Sequence, residues 1–236
     1  METITDKFET FNVEELVNNY LAKRETDLQQ LFAINEDLPS EYKEVLKRGH
    51  AIEKELARRT ILFLGMNPSY SNDKVTPPGF YKEYEHPYFR RISKVTEESN
   101  RRMHTTFPFA HHDIFFVRHT SQKFVEEMKD SMENFFDIQI DITKQIIVEA
   151  EPKIIVVANA GASKIFQHEI CKSWKPDLPQ FDEELGVDFL EVEANGKLIR
   201  APVLFTGMLS GQRALDDGSY YSLIWHITHI LRNIDK

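Results

Sequence analysis

The 236-residue chain holds one cysteine, Cys171, which excludes an internal disulfide and any metal or iron–sulfur centre built from cysteine alone. Long apolar runs are missing too. Stretches such as Ile154 to Ala158 fall far short of the roughly 20 residues that cross a bilayer. The N-terminus METITDKFETF has no basic segment leading into an apolar one, so no secretory leader is expected and the reading is a cytoplasmic protein without membrane contact. Neither common Gly-rich phosphate loop occurs, nor a Gly-x-Ser-x-Gly elbow, an internal repeat or a low-complexity segment. Nucleophilic serine catalysis therefore has no support, and no cofactor is expected.

An excess of positive charge is also lacking: the formal net charge is −9. Its distribution is uneven. Residues 1–57 carry 7 Lys and Arg against 13 Asp and Glu, a balance of −6. Residues 58–130 carry 12 against 9, a balance of +3, and residues 131–236 carry 10 against 16, again −6. A basic face on an acidic protein is one reading of this pattern and scattered solvated charge is the other.

What is present is an alternation of helical and strand-like segments. Asn12 with Glu15 has the form of a helix-start box, and Val13, Leu16, Val17, Tyr20 and Leu21 recur at helical spacing. A helix from about 12 to 33 follows. Pro39 and Ser40 open a second helix, with Tyr42, Val45, Leu46, Ile52 and Leu56 on one side. Residues 1–57 thus read as a helical N-terminal extension, with a docking surface for a protein partner as one role. Residues 58–236 read as an α/β domain. Four apolar runs, Ile61–Leu64, Asp113–Val117, Lys153–Val157 and Pro202–Thr206, suit strands covered on both faces. Helical candidates lie between them at about 86–100, 121–132, 138–150 and 161–172, with a last helix over 219–233. The expected architecture is a three-layer α/β/α fold with a mostly parallel central sheet. Asn195-Gly196 is a hairpin signal.

In such sheets ligands bind beyond the carboxyl ends of the strands. There the first strand runs into Gly65-Met66-Asn67-Pro68-Ser69, and the last into GMLSGQR, Gly207 to Arg213. Asn67 offers a rigid carboxamide, a donor and an acceptor that positions water or an amide-like ligand but is not a strong base. Upstream of the second strand, Ala110-His111-His112-Asp113 offers two imidazoles and a carboxylate. Adjacent side chains on an extended segment point to opposite faces, so at most one of these histidines is expected in any cluster and no metal site is assigned.

The strand ending in GMNPS, the segment FYKEYEHPYFRRI from Phe80 to Ile92, and MLSGQRA from Met208 to Ala214 together resemble the uracil-DNA glycosylase superfamily, especially its mismatch-specific uracil/thymine and single-strand-selective branches. The resemblance spans about 60 to 232. It implies that Asn67 positions the attacking water, with Gly65, Met66 and Pro68 beside the base. It implies that Tyr84 stacks on an extruded base, with Phe80 or Tyr81 near enough to do so instead. It places Asp113 or Arg118 where a base-recognising residue comes from the second strand, and Ser210, Gly211, Gln212 and Arg213 in a loop that enters DNA. Met208-Leu209 stand where the mismatch-specific branch has Asn-Pro, and the leaving-group histidine of other branches has no counterpart. The expected activity is excision of uracil or a related mismatched base from duplex or single-stranded DNA, by a monomer. The alternative is a catalytically silent member of the fold that binds a nucleobase, nucleotide or nucleic acid.

Overall fold

Strand residues that are apolar on both faces need helices on both sides, and the computed structural model has that layering. It describes residues 8–70, 77–81, 89–175, 177–209 and 214–234. The chain runs through β1 (Thr10–Asn12), α1 (Val13–Ala22), α2 (Leu28–Leu31), α3 (Ser40–Lys47), β2 (Ala51–Glu53), β3 (Glu55–Ala57), β4 (Ile61–Gly65) and β5 (Gly79–Tyr81). It continues through α4 (Arg90–Met103), β6 (Phe109–Asp113), α5 (Gln122–Ser131), α6 (Glu133–Ala150), β7 (Ile154–Ala158) and α7 (Ala160–Ile165). A π-helical segment, Phe166–Cys171, leads to α8 (Lys172–Trp174), β8 (Gln180–Asp182), β9 (Val187–Ala194), β10 (Lys197–Thr206) and α9 (Asp217–Asn233).

Six strands form the central sheet in the order β6-β4-β7-β10-β9-β8. The first four are mutually parallel, and β9 and β8 are added antiparallel. Asn195 and Gly196, with φ of 54° and 73°, close the β9–β10 hairpin as their sequence predicts. Alternation along β4 separates two cores. Ile61 and Phe63 face a layer containing Ile92 and Val95 of α4 and Tyr220, Ile224 and Ile227 of α9. Leu62 and Leu64 face the opposite layer, with Val125 of α5, Ile142 and Ile146 of α6, and Ala162 of α7. The fold is a three-layer α/β/α sandwich with a mostly parallel sheet.

The N-terminal segment shares the second core. Val13, Val17, Leu21, Ile52 and Leu56 are buried in one cluster with α6 and the sheet. Asn12 caps α1 by accepting from Glu15 N–H at 3.0 Å, as the helix-start box requires. Two expectations fail here. The first helix stops at Ala22, and the stretch holding Ile52 and Leu56 forms strands β2 and β3 instead of prolonging α3. Gly49, at φ +67°, turns the chain out of the helix. β2 then pairs with β5, and β3 with β1.

A third correction concerns the second strand of the sheet, which is Phe109–Asp113 and not Asp113–Val117. Ile114 to Val117 are fully buried but lie beyond the last ladder pair, Gly65 with Asp113, and Val117 makes an isolated bridge to His50. Other groups satisfy their backbone: Gln139 Oε1 accepts from Phe116 N–H at 2.7 Å, Thr143 donates to Ile114 O at 3.1 Å, and Ala51 N–H donates to Phe116 O at 3.1 Å. The apolar run is therefore a packed connection beyond the strand's carboxyl end.

Among the described residues no helix is long and apolar enough to cross a membrane.

Candidate functional site

β4 and β6 are parallel neighbours with Gly65 opposite Asp113, so the chain leaves both strands at the same edge of the sheet. The exits remain stitched together. Ile114 N–H donates to Gly65 O at 3.0 Å, Phe115 N–H to Met66 O at 2.8 Å and His119 N–H to Pro68 O at 3.0 Å. Asn67 lies in this seam, half-buried. Its Nδ2 donates to the carbonyls of His119 at 2.6 Å, Pro68 at 3.1 Å and Val117 at 3.3 Å. Carbonyl oxygens only accept, so the NH₂ end must face them; the amide orientation follows from that network. Oδ1 is then held as an acceptor on the other side of a carboxamide that has no freedom to flip.

Gly65 explains itself through Asp113. A Cβ built on Gly65 would collide with Asp113 Oδ1 and come within 3.4 Å of His111 Nε2. The carboxylate lies across the end of β4, and only glycine leaves room for it.

Asp113 is one end of a buried polar cluster. Glu53, His111, His112 and Asp113 are each at most 7% exposed. Glu53 Oε1 accepts from Tyr81 OH at 2.7 Å and lies 2.9 Å from His111 Nδ1, while Oε2 lies 3.1 Å from His112 Nδ1. His112 Nε2 reaches Thr143 Oγ1 at 3.1 Å, and His111 Nε2 lies 3.8 Å from Asp113 Oδ1. Both histidines thus join one cluster, against the expectation that at most one can. They do point to opposite faces: His111 contacts Phe89 of the α4 side and His112 contacts Phe116 of the α6 side. The two meet because β6 is the edge strand of the sheet. Glu53, on β2, sits beside that edge and gives one oxygen to each face. Sequence reading missed Glu53 because it lay in a stretch read as helix; on a strand the acid faces opposite the apolar Ile52, and no local signal marks that face as buried.

Burial alone would raise the Glu53 carboxyl, but hydrogen bonds from His111 and His112, with their charge, hold its pKa down at about 2. Burial pushes Asp113 up to about 6, with the imidazoles pulling against it and the charge of Glu53 adding to it. Burial also opposes the His111 imidazolium, yet Asp113 and Glu53 together outweigh it and raise that pKa. Glu53, His111 and Asp113 each bring one ligand atom within 4.8 Å of the others, a donor set of the kind divalent cations take. Each Glu53 oxygen already serves an imidazole, however, so hydrogen bonding accounts for the arrangement without an ion.

Positive charge gathers beside the Asn67 turn. The Arg48 and Arg118 guanidiniums lie 4.4 and 5.2 Å from the centre of the Tyr70 ring, and each donates to the other's backbone carbonyl at 3.2 Å. Burial, with the nearby Arg48 charge, lowers the Arg118 pKa although Tyr70 raises it. His119 stacks on Phe124 with ring centres 4.4 Å apart, and its Nδ1 accepts from Ser121 N–H at 3.0 Å.

Of the residues singled out by sequence, Gly65, Asn67, Pro68 and Asp113 come together here. Met66 is buried at 1% exposure, and a Cβ on Gly161 would lie 2.7 Å from its sulfur; it is packing beneath the turn. Phe80 packs on His50 and the Tyr81 hydroxyl is engaged by Glu53. Tyr84 and Ser210, Gly211, Gln212 and Arg213 lie outside the described residues. The base of that last loop is closed by a Met208–Ala214 bridge and by Leu215 N–H donating to Met208 O at 2.9 Å. No family model matches this chain, and no curated protein matches it.

Proposed function

We propose that the protein is a DNA glycosylase-like hydrolase that excises uracil or a related mismatched base. The observation that carries this reading is the locked Asn67 carboxamide at the carboxyl end of β4, its Nδ2 on three backbone carbonyls. Hydrolysis of an N-glycosidic bond builds positive character on the sugar and negative charge on the departing base. Fixed dipoles therefore contribute more than a strong base does. Oδ1 of Asn67 accepts a hydrogen bond from the attacking water and orients its lone pair toward the sugar carbon. Asp113 stands one strand away to read the base edge. Arg48, with the buried Arg118 behind it, supplies positive charge for phosphates, a sequence-independent contribution that salt weakens.

A base inside a duplex is out of reach, so binding includes flipping it out at a cost of a few kcal/mol. In this reading Tyr84 offsets that cost by stacking, worth roughly 1–3 kcal/mol per base, and Ser210, Gly211, Gln212 and Arg213 fill the helix behind it. Purified full-length protein is expected to release uracil from a G·U duplex or a single strand, and Asn67→Ala to abolish most of that release. A folded protein inert on uracil, thymine and hypoxanthine substrates overturns the reading.

A second reading, a silent member of the fold that binds nucleic acid or a base without cleaving it, has its own support. All three contacts of Asn67 Nδ2 are to backbone, which is what a purely structural strut between two loops would make. Salt-dependent DNA binding with no base release selects it.

A further inference from the structure

Glu53 lies in the N-terminal segment, 58 residues from His111 and 59 from His112 in sequence, yet it is the shared partner of both imidazoles. We propose that Glu53 is a positioning residue for Asp113, acting through His111, so that the N-terminal segment is a working part of the site at the end of β6. The proposal rests on the glycosylase reading for what Asp113 does, but the link from Glu53 to Asp113 stands on geometry.

His111 has one ring edge on Glu53 Oε1 at 2.9 Å and the other 3.8 Å from Asp113 Oδ1. An imidazole held at one nitrogen by a carboxylate has its ring plane and proton position fixed, and the opposite nitrogen is thereby aimed. Glu53 is itself fixed three times over, by His111, by His112 and by Tyr81 OH. On the far side His112 is anchored to Thr143 of α6. Asp113 in turn is confined by Gly65, where no side chain intervenes. The chain of contacts thus runs from α6 through His112, Glu53 and His111 to Asp113, and β2 supplies its centre. A carboxylate with both oxygens used in this way cannot be replaced by an amide, which has one acceptor oxygen and an NH₂ that repels an N–H donor.

Glu53→Gln in the full-length protein tests this, with Tyr81→Phe as a milder variant that removes one hydroxyl and no charge. In wild type and both variants the Asp113 carboxyl carbon and the His111 ring nitrogens are followed by NMR. Both sets of resonances are expected to move in Glu53→Gln, and in the same direction by less in Tyr81→Phe. Uracil release from a single-stranded oligonucleotide carrying one uracil is then measured. Glu53→Gln is expected to lower kcat about tenfold with little change in KM, and to add almost nothing in an Asp113→Ala background. Resonances unmoved in both variants overturn the proposal, as do moved resonances with kcat unchanged. A wild type inert on uracil DNA overturns the glycosylase reading alone; the resonances still decide whether Glu53 positions Asp113.

Discussion

The Asp113 carboxylate lies across Gly65, its partner on the neighbouring strand, so closely that any side chain at position 65 would occupy the same space. Gly65→Ala must therefore push a buried carboxylate off its place. The expected cost is about 1–3 kcal/mol of stability, the range for overpacking a filled core, read as a lower denaturant midpoint. If the proposed glycosylase activity holds, uracil release should fall with it. A Gly65→Ala protein as stable as wild type would mean that Asp113 moves aside freely.

Asn67 gives a more discriminating series. Asn67→Ala removes the donor shared by three carbonyls, at an expected cost of about 1–3 kcal/mol for under-satisfied buried acceptors. Asn67→Asp is nearly isosteric but turns a carboxylate oxygen toward those carbonyls, so it should be the less stable of the two variants. Thermal unfolding of both proteins checks the order, and the reverse order would mean that the Asn67 amide is not held by its NH₂ end.

Stability should depend on pH in two opposing ways. Glu53, held down at about 2, contributes stability that is present above its ordinary value of 4.5 and lost as pH falls toward 2. Asp113 is raised from 3.8 to about 6, so the folded state holds a proton that the unfolded state has lost. Stability therefore declines between those two values as pH rises. His111, raised by Asp113 and Glu53, adds a loss as pH rises from its ordinary value of 6.5 through the raised folded-state value. Asp113→Asn should flatten the decline between about pH 4 and 6, measured as the denaturant midpoint across that window.

The N-terminal segment should not be separable. Leu21, on α1, is fully buried in the core shared with α6, and Leu21→Ala should cost about 2–5 kcal/mol. A chain beginning at Arg58 would lose Val13, Val17, Leu21, Ile52 and Leu56 from that core and leave His111 and His112 without Glu53. It is expected to be unfolded by circular dichroism and by hydrogen exchange. A cooperatively folding 58–236 chain would refute this.

Much of this architecture is legible in the one-dimensional chain because its causes are local. The apolar runs at β4, β7 and β10, the Asn12 cap and the Asn195-Gly196 hairpin follow from side-chain period and turn chemistry within a few residues. The turn at Asn67 was legible as a place for the same reason. Tertiary structure decided where β6 ends, because beyond Asp113 the ladder to β4 gives way to bonds from Ile114 and Phe115 to Gly65 and Met66 at the exit of β4, and to partners on α6 and β2. It also decided that two histidines on opposite faces share one carboxylate, since that requires β6 to lie at the sheet's edge and Glu53 to arrive beside it. Neither the edge position nor the approach of Glu53 is encoded within a local window. Both are set when the cores on the two sides of the sheet close, and the residues of the site meet only then.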